Sequence, residues 1–177
     1  MYRISELIKL DRQLYHSNDL AILWGISNKN TLYTAVKRYV QKGILVPVYK
    51  GLYSTVPLSQ LDPLELGVAV VHKYAYLSAE SVLAQAGVIY QAIHKHTFIS
   101  SVSKKITIGD ESFLYRKLKD EYLSSPAGID SRNGIFTASV ERAAADILYF
   151  DRNYHFDVPE NIDWKKMSDI QKEVGYL

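Results

Sequence analysis

The sequence predicts an α+β protein of two units, and three observations carry that reading. Residues 1–57 show helical periodicity that ends in two β-prone runs. Asp62-Pro63 then opens a new helix and with it a second unit, 62–177. In that unit an alternation of apolar residues between His96 and Lys117 predicts a small antiparallel sheet within a mixed α/β domain. A chain of 177 residues fits two small domains, and 47% hydrophobic with 23% charged residues is enough to build cores.

In the first unit, Ile4, Leu7 and Ile8 recur at helical spacing and predict a first helix over residues 2–12. Ser17 is the expected N-cap of a short second helix, with Asp19 at its positive end and Leu20, Ala21 and Trp24 on one face. Gly25 ends it. After a tight turn, a third helix is expected from Asn28 to Lys42, stopped by Gly43. The runs Ile44–Tyr49 and Leu52–Val56 flank Lys50-Gly51 and predict a hairpin, with Pro47 marking an open strand edge. Three helices followed by such a hairpin make a winged helix-turn-helix.

Leu32, Val36, Tyr39 and Val40 fall on one side of the third helix and are expected to pack inward. A turn of about 100° per residue gathers Asn30, Thr31, Thr34, Lys37, Arg38 and Gln41 on the opposite arc. None is acidic. Such side chains read base edges or hold phosphates: Arg38 suits a guanine edge, Asn30 or Gln41 suits adenine, and Lys37 and the threonines suit phosphate. With Asn28, Lys29, and Tyr49 and Lys50 at the hairpin, they form the expected contact set for double-stranded DNA. Residues 1–57 hold eight basic residues against three acidic ones, while the rest of the chain is slightly acidic. That asymmetry fits a first unit facing a polyanion. The alternative is a non-catalytic interaction module whose winged helix binds protein.

In the second unit, helices are expected from Asp62 to Lys73, from Ser78 to Gly87, after Ser139, and from Asp163 to Val174. Ile135-Phe136-Thr137 suggests a short strand. His94 and His96 form a His-x-His pair, but no carboxylate or third histidine stands at a spacing that completes a metal site. Glu141 and Asp146, five apart on one helix, point in different directions. Without a phosphate loop, nucleophile elbow or zinc-protease helix, neither an enzyme nor a cofactor is expected. Lys104-Lys105 and Arg116-Lys117-Lys119 read as solvated strand edges or as extra phosphate contacts. The chain has no cysteine, and Arg3, Glu6 and Lys9 interrupt its start. Both features point to a cytoplasmic protein that does not enter a membrane.

Four segments carry a family resemblance: Lys42-Gly43-Ile44-Leu45, Lys50-Gly51-Leu52-Tyr53, Tyr76-Leu77-Ser78-Ala79-Glu80-Ser81-Val82-Leu83 and Thr137-Ala138-Ser139-Val140-Glu141-Arg142-Ala143. In these the chain resembles the AbiEi antitoxins, the autoregulators of AbiE-type (type IV) toxin-antitoxin systems. The resemblance implies a repressor that binds inverted repeats in its own promoter and counters a nucleotidyltransferase-like toxin encoded beside it. It implies further that the N-terminal unit reads DNA and the C-terminal unit is needed for antitoxicity, often without a stable toxin complex. Ala143, Ala144 and Ala145 depart from the leucine-rich segment that relatives often carry, which predicts a thin helix face.

Overall fold

Short elements joined by tight, capped turns build this chain, as the computed structural model shows for Ser5, Leu7, Lys9, Leu10 and residues 12–177. The fold is mixed α/β, with seven α-helices and two sheets among the described residues. Contacts divide the chain into two compact units, 1–70 and 71–177. The division falls later than the break between 57 and 62 suggested by the sequence. His16 Nε2 lies 2.7 Å from the carbonyl oxygen of Ala69, which ties the helix Pro63–Val71 to the first unit.

Most of the expected first helix lies outside the described residues. Of it, Ser5, Leu7 and Lys9 are helical, and Leu7 is buried. The next segment forms a strand that sequence periodicity did not announce, β1 (Leu14–His16), which pairs antiparallel with β3 (Leu52–Ser54). β3 also pairs antiparallel with β2 (Val46–Tyr49), giving a three-stranded sheet in the order β1-β3-β2. β2 therefore has a free edge, where Pro47, lacking an amide donor, costs no ladder bond.

The helix Ser17–Leu23 begins one residue earlier than predicted. Ser17 is inside it, and the backbone amide of His16 donates to Asp19 Oδ2 at 2.9 Å, so the aspartate carboxylate secures the turn. The Ser17 amide and hydroxyl instead both donate to the carbonyl of Gly51, at 2.8 and 3.2 Å. Asn28 caps the helix Lys29–Gln41, its Oδ1 accepting from the amides of Asn30 and Thr31 at 2.9 and 3.0 Å. Gly43 follows at φ +69°, the left-handed geometry expected after a helix end.

In the second unit the strands are β4 (Ala75–Leu77), β5 (His96–Ser100), β6 (Lys104–Ile108), β7 (Glu111–Lys117), β8 (Ile129–Arg132) and β9 (Ile135–Ala138). They form one six-stranded sheet, β6-β7-β5-β4-β9-β8. The small antiparallel sheet predicted for this unit is thus larger and mixed: β5 pairs parallel with β7, and β4 with β9. β6 and β7 do form the antiparallel hairpin predicted around Gly109-Asp110. However, β7 inserts between β5 and β6, a non-local arrangement invisible to periodicity. Phe98, Phe113 and Tyr115 are fully buried on this sheet, and Phe98 stacks on Tyr115 at 5.7 Å.

The helix Val140–Phe150 packs against the helices Ala79–Gln85 and Trp164–Val174. Ala143, Ala144 and Ala145 are all fully buried, so the face predicted to be thin is a close-packed one, where small side chains let its neighbours approach. Ser139 and Asp163 cap their helices as expected, accepting from the amides of Arg142 and Lys166 at 3.2 and 3.0 Å. Ser78 does not cap its helix with its side chain. No helix among the described residues is long and apolar enough to cross a membrane.

Candidate nucleic-acid interface

The orientation of the Lys29–Gln41 helix follows from what its inner side touches. Ala35 and Val36 are buried in a cluster with Leu7, Tyr15, Leu20, Trp24 and Leu45, and Leu32, Tyr39 and Val40 pack half-buried against it. Trp24 meets Tyr39 with ring centres 5.1 Å apart. This apolar side turns the opposite arc to solvent. Asn28, Lys29, Asn30, Thr31, Thr34, Lys37, Arg38 and Gln41 are all exposed, as are Tyr49 and Lys50 at the hairpin. Asn30, Thr31, Thr34, Ala35 and Arg38 line a shallow concavity on that arc.

These side chains divide by what already engages them. Asn28 is committed to its cap, Thr31 Oγ1 donates to Asn28 Oδ1 at 3.4 Å, and Thr34 Oγ1 donates to the carbonyl of Asn30 at 2.9 Å. Among the described residues, no side-chain hydrogen bond or ion pair engages Asn30, Lys37, Arg38, Gln41 or Lys50. The ion pair described in the first unit, Arg12 with Asp19 at 2.9 Å, lies at the preceding helix. The arc thus presents two cations and two amides with open hydrogen-bonding capacity. Lys50 adds a third cation at the two-residue turn between β2 and β3.

Sequence reasoning missed Tyr33. It is 69% exposed and follows Lys37 around the helix, about 40° further from the arc's centre. Its signal was present in the same helical projection, but an aromatic residue beside the apolar side reads as core. Ile22, on the preceding helix, is likewise exposed, at 82%.

A second group of charges sits in the other unit, where no local sequence pattern marks it as buried. Arg142 and Asp146 are both fully buried, with Arg142 Nε donating to Asp146 Oδ1 at 2.9 Å. The remaining guanidinium hydrogens reach the carbonyls of Ser125, Ala127 and Tyr122 and the hydroxyl of Tyr76. Asp146 also accepts from Tyr76, Ser78 and Tyr176, at 3.0, 2.7 and 2.5 Å. Burial first, and the Asp146 charge second, push the Tyr76 and Tyr176 hydroxyls well above their ordinary range. Burial, the largest single influence, works against the Arg142 charge, but Asp146, Tyr76 and Tyr176 together with the Asp146 hydrogen bond outweigh it and keep the guanidinium protonated. Every donor and acceptor here is answered from within the fold, which makes the cluster a structural tie.

The other sequence candidates are dispersed. His96 Nε2 lies 3.0 Å from Glu111 Oε2 across the sheet, a carboxylate that linear spacing could not connect to it, and its ring stacks on Phe113. Among the described residues no three metal-binding side chains converge. Glu141 pairs with Lys166 at 3.1 Å, away from Asp146. Burial disfavours its charge, yet its own amide, Lys166 and Ser139 hold the Glu141 carboxyl below the ordinary range. Lys104 and Lys105 are exposed on the edge strand β6, Arg116 pairs with Glu80, and Lys119 lies 3.7 Å from Glu121.

No model of a known protein family matches the chain, and no curated protein matches it in sequence. In structure it is similar to the RV2827C protein from Mycobacterium tuberculosis, with a TM-score of 0.57 and 14% identity. The match covers 96% of this chain and 69% of that one. At such low identity the likeness speaks for the fold alone.

Proposed function

We propose that this chain is a double-stranded-DNA-binding repressor whose first unit is a winged helix-turn-helix. One observation carries the reading: the outward arc of the Lys29–Gln41 helix is free of acids, and Lys37 and Arg38 stand on it without an ion-pair partner among the described residues. In this reading the helix enters the major groove, with Arg38, Asn30 and Gln41 at base edges and Lys37 at phosphate. Lys50, at the tip of the wing, reaches the backbone or minor groove beside it. No catalytic or metal-dependent step is part of the proposal.

The resemblance to AbiEi antitoxins extends the reading. The repressor would bind inverted repeats in its own promoter, act in the cytoplasm, and counter a nucleotidyltransferase-like toxin from the same operon. Two of the segments carrying that resemblance supply Tyr76, Ser78 and Arg142 to the buried tie.

The test is a mobility-shift titration against the chain's own upstream region, beside scrambled DNA, at two salt concentrations. Specific, salt-sensitive retardation that weakens in Arg38→Ala is the expected result. Equal binding to both DNAs sinks the repressor. Co-expression with the neighbouring gene product tests the antitoxin role, with restored growth expected. Exposed Ile22 and Tyr33 favour a second reading, in which the same helices dock on a protein. That reading predicts no retardation of any DNA at physiological salt.

A further inference from the structure

The second unit holds a recess of about 400 Å³ beside the edge of its sheet, a volume within the range of small-molecule sites. Its lining includes Glu80, Ile93, His94, Lys95, Lys105 and Ser112. Lys95 and Lys105 are exposed and take part in no ion pair among the described residues. Glu80, the acid of the lining, pairs with Arg116 through Oε1, and its Oε2 is buried with no hydrogen-bond partner among the described residues. His94 contributes a ring nitrogen, and the Ser112 hydroxyl is fixed by a 3.2 Å hydrogen bond to Thr107. The balance is cationic, and Ile93 supplies an apolar wall.

We propose that this recess binds a small phosphorylated molecule, with Lys95 and Lys105 on its phosphate and Ile93 against its body. Two ammonium groups suit a doubly charged phosphate, which lysine holds as a point charge. The strand itself provides an internal control. Successive residues of a strand face opposite sides, so Lys104 carries the same charge next to Lys105 but is absent from the lining. The site lies wholly within 71–177 and does not depend on the DNA-binding reading.

Calorimetric titration of the full chain at constant ionic strength, with adenosine monophosphate, adenosine and pyrophosphate as probes, decides the matter. The monophosphate is expected to saturate a single site while adenosine does not bind. Lys95→Gln and Lys105→Gln should each weaken binding about tenfold, the scale of one lost charge-assisted contact, and Lys104→Gln should leave it unchanged. All three residues are exposed, so thermal melting of each variant should match the parent and exclude misfolding as the cause. Equal losses in Lys104→Gln and Lys105→Gln would reduce the effect to diffuse surface charge and overturn the site. Pyrophosphate binding without the monophosphate, or no binding by either, overturns it as well.

Discussion

The outward arc of the Lys29–Gln41 helix and the Arg142–Asp146 cluster each hold one arginine, and they treat it in opposite ways. Arg38 is exposed and has no described partner, whereas Arg142 is fully buried and answered at Asp146, Tyr76 and three backbone carbonyls. A charge left open to water is available to a partner molecule. A charge closed off from water and fully hydrogen-bonded is committed to the fold, since removing either member strands the other in a low-dielectric interior. Perturbed titration alone would have pointed to the buried cluster as the functional site, because Tyr76 and Tyr176 are shifted there. Complete satisfaction argues the other way.

The contrast breaks first, and hardest, at the buried pair. Asp146→Ala should cost about 3–5 kcal/mol of stability in urea denaturation, by leaving Arg142 uncompensated. A loss below about 1 kcal/mol would mean that water reaches the pair. Next comes Gly128→Ala. Gly128 sits at φ +68°, and an added Cβ would lie 2.8 Å from Arg142 Cβ and 2.9 Å from Ile170 Cδ1. Backbone strain and overpacking predict about 2–4 kcal/mol, read by the same denaturation.

At the open arc, Arg38→Ala should cost about 1–3 kcal/mol of specific DNA affinity and relax selectivity at one base position, while denaturation midpoints stay put. Lys50→Ala should weaken all DNA sequences alike and lower the salt slope by about one. Loss of folding stability in Arg38→Ala would show that the arc is structural after all.

Alkaline pH separates the regions further. Tyr76 and Tyr176 have folded-state pKa values above their ordinary 10.0, so the folded chain keeps protons that the unfolded chain releases. Their contribution is intact below pH 10 and is lost as pH rises beyond it, at up to about 1.4 kcal/mol per pH unit for each tyrosine. Tyr176→Phe should make the alkaline limb of a stability-versus-pH curve shallower. Smallest of all is Lys119→Gln, since Lys119 and Glu121 are both 64% exposed; its effect on stability should stay within about 0.5 kcal/mol.

What could be read from the sequence was local. Asn28, Asp62, Ser139 and Asp163 were legible as helix starts because a cap needs only its own turn, and the exposed arc because a helix fixes its own projection. Strands β1 and β4 escaped because each has three residues, and β4 is buried throughout, so no alternation exists to detect. The parallel pairing of β5 with β7 depends on where β6 is sent, which no short window contains. Arg142 and Asp146 stand four apart on a helix, the spacing of an ordinary surface ion pair. Their burial is decided by Tyr76, Ser78 and Tyr176, up to 70 residues away in sequence.

The double hydrogen bond from Ser17 to Gly51 has a mechanical meaning. Lys50 is carried on a hairpin whose turn is bolted to the first residue of the helix Ser17–Leu23, while β3 is laced along β1 immediately before that helix. A load applied at Lys50 is therefore transmitted through Gly51 to the helix start instead of being absorbed by bending of the turn, and the hairpin behaves as a strut whose reach is set by the body behind it.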